Sequence, residues 1–193
     1  MTNSKWGIYT LAVALLLATI WYVSARHQTP TGQPPLADVT RQSVVQLQRE
    51  FNQVSGSERV LLLLSPTCPA CLQGGSEVNA VLKRHPESNV RVFVIWEPIL
   101  PTDWNKPTTH VLQRLNDARV TQVWDKNHLI AGLMQNGAEG QTPRCCRHGG
   151  VLWDVIASYP SGAQWEGSLP RPELLNGTVI RTAPELEARL SQH

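Results

Sequence analysis

The stretch that most constrains this chain is Cys68-Pro69-Ala70-Cys71, because of what stands on either side of it. An unbroken apolar run, Val60-Leu61-Leu62-Leu63-Leu64, leads into it through Ser65-Pro66-Thr67. On the other side Cys71, Gly75, Val78, Leu82 and His85 recur on one face at helical spacing. The two thiols therefore sit at a strand-to-helix junction, with the first at the helix N-terminus. Unpaired N–H groups and the helix dipole favour a thiolate over a thiol there. Pro69 fits the first helical turn, where a missing N–H costs nothing. Two cysteines at this spacing close a small disulfide ring without unwinding the helix. The first is expected to be exposed and to attack another disulfide, and the second to release the mixed disulfide. A structural bridge, half a zinc site and two unrelated core cysteines are the competing readings.

Four cysteines fall in two pairs, Cys68/Cys71 and Cys145/Cys146, a pattern that suits an oxidising compartment. With 193 residues there is room for one domain and an appendage, and a hydrophobic content of 41% supports a core. The net charge of +2 and the absence of long basic runs argue against a nucleic-acid surface. Trp6 and Trp21 flank the N-terminal apolar segment. Trp96, Trp104, Trp124, Trp153 and Trp165 are expected to pack, or to line a substrate groove.

The chain divides into an N-terminal membrane anchor or signal peptide (1–25), a linker (26–35) and a folded domain (36–193). Trp6 to Val23 carries no charge and is about 18 residues long, the lower end of a bilayer span. Trp21-Tyr22 resembles an interfacial belt and favours a retained anchor. Val23-Ser24-Ala25 would suit a signal peptidase. The linker is rich in proline. Leu36–Val54 reads as a helix with Val44, Leu47, Phe51 and Val54 inward. Val90–Ile95 reads as a strand covered on both faces, Thr109–Ala118 as a helix, Val120–Trp124 as a strand and Lys126–Met134 as a short helix. Gln135–Arg144 reads as a loop, and Val151–Ala157 as a strand. Asn176-Gly177, between Glu173-Leu174-Leu175 and Thr178-Val179-Ile180, predicts a tight hairpin. A capping-box spelling at Thr182-Ala183-Pro184-Glu185 predicts the start of the last helix.

Helix, strand, C-x-x-C helix, strand, inserted segment, Pro-led hairpin and final helix in this order resemble the thioredoxin superfamily over roughly residues 36–191. The resemblance implies an α/β, thioredoxin-like fold: a central mixed sheet flanked by helices, with an insertion, preceded here by one N-terminal transmembrane helix. It implies Cys68 as nucleophile and Cys71 as resolving thiol. It also implies a cis proline that shapes the substrate edge, for which Pro172 is the first candidate and Pro170 the second. Thr67 stands where thioredoxins proper usually carry Trp, and the first strand has no buried acid to accept a proton.

Cys145 and Cys146 are adjacent, so a disulfide between them closes a strained eight-membered ring that is easily reduced. They read as a second redox pair, as metal ligands together with His148, or as one bridging cysteine and one bystander. The metal case would gather Cys68, Cys71, one of Cys145/Cys146 and His148. His85, His110 and His128 show no partner spacing. Glu97 stands either near the thiols or in solvent. The resulting expectation is a membrane-anchored thiol–disulfide oxidoreductase acting on protein thiols and disulfides outside the cytoplasm. Its place would be a bacterial inner membrane, single-pass with the domain facing the periplasm, or the exterior after signal cleavage. No organic cofactor is implied, and electrons would pass to or from a membrane or periplasmic partner. A thiol-based protein handling soft metal ions such as copper or mercury is the alternative, and an interaction domain with structural disulfides is the third reading.

Overall fold

The computed structural model describes residues 8–17, 19, 26–138 and 140–191. The expected anchor falls partly outside them, as do Trp6, Trp21, Tyr22 and the Val23-Ser24-Ala25 site. Residues 8–17 are helical, with Ile8, Leu11, Leu15 and Leu17 exposed. Among the described residues no helix is long and apolar enough to cross a membrane.

The domain is built on a six-stranded sheet in the order β1 (Ala37–Asp38), β4 (Val120–Trp124), β3 (Val90–Trp96), β2 (Glu58–Leu64), β7 (Val155–Tyr159) and β8 (Leu174–Gly177). The first four strands are parallel and the last two run antiparallel to their neighbours, so the expected mixed sheet is observed. The strands at the centre, β2 and β3, are apolar on both faces because both faces are covered. On one face Leu62, Leu64, Val92, Val94 and Ile156 meet Val78 and Leu82 of α2 (Pro69–Arg84) and Val179, Ala183 and Leu186 of α5 (Val179–Leu190). On the other, Leu61, Leu63, Phe93, Ile95 and Val155 meet Leu47 and Phe51 of α1 (Ser43–Gln53) and Ile130 and Met134 of α4 (Leu129–Ala138). Residues 109–112 form a single turn, α3 (Thr109–Leu112), and a two-stranded ribbon of β5 (Arg147–His148) and β6 (Val151–Leu152) stands apart from the main sheet.

Gly74 marks close packing against α2. A Cβ on Gly74 would lie 2.8 Å from Val179 Cβ and 2.9 Å from the Ile180 nitrogen. The missing side chain lets the first turn of α5 press against the thiol-bearing helix.

Several expectations are corrected. Ala37 and Asp38 pair with Val123 and Trp124, so the first helix begins at Ser43. The helix expected over 109–118 stops at Leu112, and the one expected over 126–134 runs from Leu129 to Ala138, into the supposed loop. The strand over 151–157 is broken at Trp153-Asp154, where Asp154 takes φ 52°. Asn176-Gly177 makes no hairpin: it ends β8, and α5 starts two residues later at Val179 rather than at the capping-box spelling. The antiparallel partners β7 and β8 are joined instead through residues 160–173. Segment 26–35, expected as a linker, lies against the domain: Gln33 Nε2 donates to the carbonyls of Leu115 and Asp117, and His27 Nδ1 meets the Pro107 carbonyl.

Candidate thiol site

Strand β2 delivers Ser65-Pro66-Thr67 and then Cys68 at the end of the sheet. Asp103 fixes this turn. Its carboxylate accepts from Ser65 Oγ (2.8 Å), Thr67 Oγ1 (2.6 Å) and Thr67 N (3.1 Å), and from the backbone N–H of Ile99 and Leu100. Burial alone would raise its pKa, but donation by Thr67, Leu100, Ser65 and Ile99 outweighs burial and holds the carboxyl below its ordinary range.

Cys68 is the N-cap of α2, with Pro69 in the first turn, and its sulfur accepts from the Cys71 N–H at 3.3 Å. The junction read from the sequence is thus the one formed. Cys68 and Cys71 are free thiols. Cys68 is 5% exposed and Cys71 fully buried, so the expected exposure of Cys68 reduces to a narrow opening, beside the exposed Thr67, Pro69 and Ala70. Burial pushes the Cys71 thiol well above its ordinary pKa, and the charge of Asp154 adds to the shift.

Asp154 is the buried carboxyl beside the thiols that sequence reasoning did not single out. Its charge acts on the buried Cys71 thiol, and its Oδ1 accepts the Val179 N–H at the start of α5 (3.0 Å). Burial raises the Asp154 pKa, against the hydrogen bond from Val179. The residue preceding β7 thus places a buried carboxyl within electrostatic reach of Cys71, where β2 has none. Its signal in the sequence is a lone carboxylate interrupting the apolar run 151–157. Trp153, next to it, packs against the core cluster that contains Cys68 and Cys71. Trp104 is 83% exposed, next to the clamp residue Asp103, while Trp96, Trp124 and Trp165 are core residues.

Pro172 is placed elsewhere. Leu63, near the thiol end of β2, pairs with Val155, and Val155 with Gly177. Ser158, farther down the sheet, pairs with Leu174. Pro172 precedes Leu174 and so lies beyond the opposite end of β2 from the thiols. Pro170 is farther still along the chain from β8. Neither proline follows a cis bond; among the described residues the cis peptide is Gly177–Thr178, at the thiol end.

Cys145 and Cys146 are joined in a disulfide, Cys145 exposed and Cys146 2% exposed. His148 is exposed in β5. Among the described residues no group of three His, Cys, Asp or Glu side chains could hold a metal ion, so the set of Cys68, Cys71, Cys145 or Cys146 and His148 is not assembled.

Glu97 is not solvated either. It follows β3 fully buried, and its Oε2 meets His128 Nδ1 at 2.9 Å. His128, just beyond β4, takes φ 55°. Burial pushes the Glu97 carboxyl up to about 7, against the pull of His128. Contact with Glu97 raises the His128 pKa in turn. Both folded values lie above the unfolded ones, so the stability they give is present at low pH and lost as pH rises through the folded pKa values. Thermal stability should therefore fall between about pH 5 and pH 8, by on the order of 3 kcal/mol from Glu97. Glu97→Gln should flatten that slope in melting curves taken across the range. An unchanged slope would show that other groups carry it.

No protein-family model and no curated protein matches the chain. Among solved structures it is similar to a secreted Mycobacterium tuberculosis disulfide oxidoreductase homologous to E. coli DsbE, at 15% identity and TM-score 0.45, over 73% of this chain and 85% of that one. It is also similar to a thioredoxin-like protein in its oxidised form, at 12% identity and TM-score 0.44, over 86% and 95%. A third likeness is to the thioredoxin domain of a Bacteroides vulgatus thiol-disulfide oxidoreductase, at 11% identity and TM-score 0.36, over 69% and 81%.

Proposed function

We propose that the protein is a thiol–disulfide oxidoreductase acting on protein substrates, with a thioredoxin-like domain tethered to a membrane and working outside the cytoplasm. The observation that carries the reaction is the buried Cys71, whose backbone N–H donates to the sulfur of the N-capping Cys68 one helical turn before it, under the charge of the Asp154 carboxylate. Cys68 attacks a substrate disulfide sulfur and releases the first substrate thiol. Cys71 then gives its proton to Asp154 and attacks Cys68, which releases the second substrate thiol and leaves a Cys68–Cys71 disulfide. A structural bridge needs no proton acceptor beside one of its sulfurs. The reverse sequence oxidises a substrate dithiol, and the direction is set by the partner that restores the pair. The tether is supported by the uncharged run 6–23 and by the exposed apolar side chains of residues 8–17. The substrates and the redox partner, a membrane or exported protein, would then meet the domain on that side.

Trapping tests the assignment. In cells, Cys71→Ser should accumulate mixed disulfides between Cys68 and exported proteins, visible as reductant-sensitive adducts, and Cys68→Ser should not. Equal adducts from both variants, or adducts with cytoplasmic proteins alone, would count against it.

A further inference from the structure

The exchange just described leaves the second cysteine pair unused. A bridge between neighbouring residues closes no loop of chain, so it cannot stabilise the fold by restricting the unfolded ensemble. Its placement is nevertheless specific. Two consecutive residues connect it to the first pair. The Trp153 N–H donates to the Cys146 carbonyl at 3.1 Å, and the Trp153 ring packs against the cluster holding Cys68 and Cys71. Asp154, the next residue, caps α5 by accepting the Val179 N–H and acts on Cys71 through its charge. The carbonyl of Asp154 and the Cys146 sulfur both crowd Gly177, where an added Cβ would lie 2.6 Å and 2.5 Å from them.

The two sulfurs of the bridge are not equivalent. Cys146 is buried on the far face of the sheet, in the cluster with Leu152 and Val155, whereas Cys68 and Cys71 belong to the cluster on the near face. An incoming thiolate is therefore kept from Cys146. Cys145 is exposed, on a segment bounded by Gly140, Gly149 and Gly150, all at positive φ. Attack at Cys145 makes Cys146 the leaving sulfur.

We propose that Cys145–Cys146 is a second exchange centre, entered at Cys145, that takes the electron pair of the Cys68/Cys71 dithiol; this rests on Cys68 being the attacking thiol of the first centre. The Cys68 thiolate attacks Cys145 Sγ. A Cys68–Cys145 bond forms, the Cys145–Cys146 bond breaks, and Cys146 leaves as a thiolate that takes a proton from solvent. Cys71 then loses its proton to Asp154 and attacks Cys68 Sγ. The Cys68–Cys145 bond breaks, Cys145 leaves as a thiolate, and Cys68–Cys71 is the new disulfide. The first pair is oxidised by two electrons and the second reduced by two. A protein disulfide on a partner reoxidises Cys145/Cys146, again through Cys145.

The intermediate can be captured in the full chain. Cys71→Ser/Cys146→Ser retains Cys68 and Cys145 alone. Under mild diamide oxidation it should lose both free thiols as a monomer, with Cys68 and Cys145 recovered in one cross-linked peptide. Cys71→Ser/Cys145→Ser, which retains buried Cys146, should give at least tenfold less of the corresponding link. Both variants are also treated with an aromatic disulfide that releases a coloured thiol when Cys68 attacks it. Release of colour without the Cys68–Cys145 link would overturn the relay and leave the first centre standing. No release would remove the first centre as well. Should the variants fail to fold by circular dichroism, fully reduced wild type is given one equivalent of diamide and followed by alkylation and mass analysis. Redistribution of the disulfide between the pairs at a rate independent of protein concentration supports the relay. A rate that scales with concentration, or no redistribution, overturns it.

Discussion

Asp154→Asn should slow release of the Cys68-bound substrate by about 100-fold or more, the usual scale for losing a positioned general base, while leaving capture by Cys68 intact. The asparagine oxygen can still accept the Val179 N–H, so the start of α5 keeps its cap. What is lost is the proposed acceptor for the Cys71 proton. Burial already makes that thiol hard to ionise, so the second step should become limiting and the mixed disulfide should persist. Stopped-flow measurement separates the two steps. The residual release rate of the variant should climb with pH as hydroxide replaces the carboxylate, more steeply than in wild type. Folding moves the other way. The folded carboxyl titrates above its unfolded value, so stability falls as pH rises through the folded pKa, and Asp154 costs stability at neutral pH. The variant should accordingly melt no lower than wild type at pH 7. Wild-type release rates would remove Asp154 from the chemistry. Slow release together with a lower melting point would point to a structural role instead.

Gly177→Ala should lower stability by about 1–3 kcal/mol, as overpacking a filled site does. The new methyl would lie 2.5 Å from Cys146 Sγ and 2.6 Å from the Asp154 carbonyl, and 3.2 Å from Val155 Cγ1. The carbonyl is main chain in a left-handed residue and yields little. The sulfur is held by its bond to Cys145. For a chain of this length the cost corresponds to a fall of several degrees in melting temperature. A loss of Cys71 turnover beyond the unfolded fraction is expected as well, because the displaced backbone carries Asp154. A melting point within a degree of wild type would show that the ribbon bearing Cys146 moves freely away from the sheet.

The same glycine shows how far the sequence was legible. Asn176-Gly177 has the spelling of a two-residue turn, but Gly177 is required by atoms from residues 146 and 154, which no local pattern announces. The start of α5 was hidden for a similar reason: its first N–H is capped by Asp154, 25 residues away in sequence. By contrast β2, the C-x-x-C junction and β3 were legible. Burial on both faces writes itself as a continuous apolar run, and helix capping by Cys68 with Pro69 behind it is local chemistry. The two-residue strand β1 is too short to carry a period of its own, and its residues read as the start of the following helix. Glu97 and His128 are 31 positions apart and meet because β3 and β4 are adjacent parallel strands that end together. Spacing along the chain does not show such a pair; pairing of the strands does. Pro172 had the right neighbours in sequence and the wrong end of the sheet.

The five donors gathered by Asp103 bear on a different property, tolerance of acid. A carboxyl held below its ordinary range adds stability above the unfolded pKa, and this is lost as pH falls through the lower folded value. The turn before Cys68 is thus tied to the Ile99–Asp103 loop by a charge that survives moderate acidification, while Glu97 is already protonated there and weighs less against the fold. A domain bathed in an acidifying medium would keep the approach to its first thiol in shape.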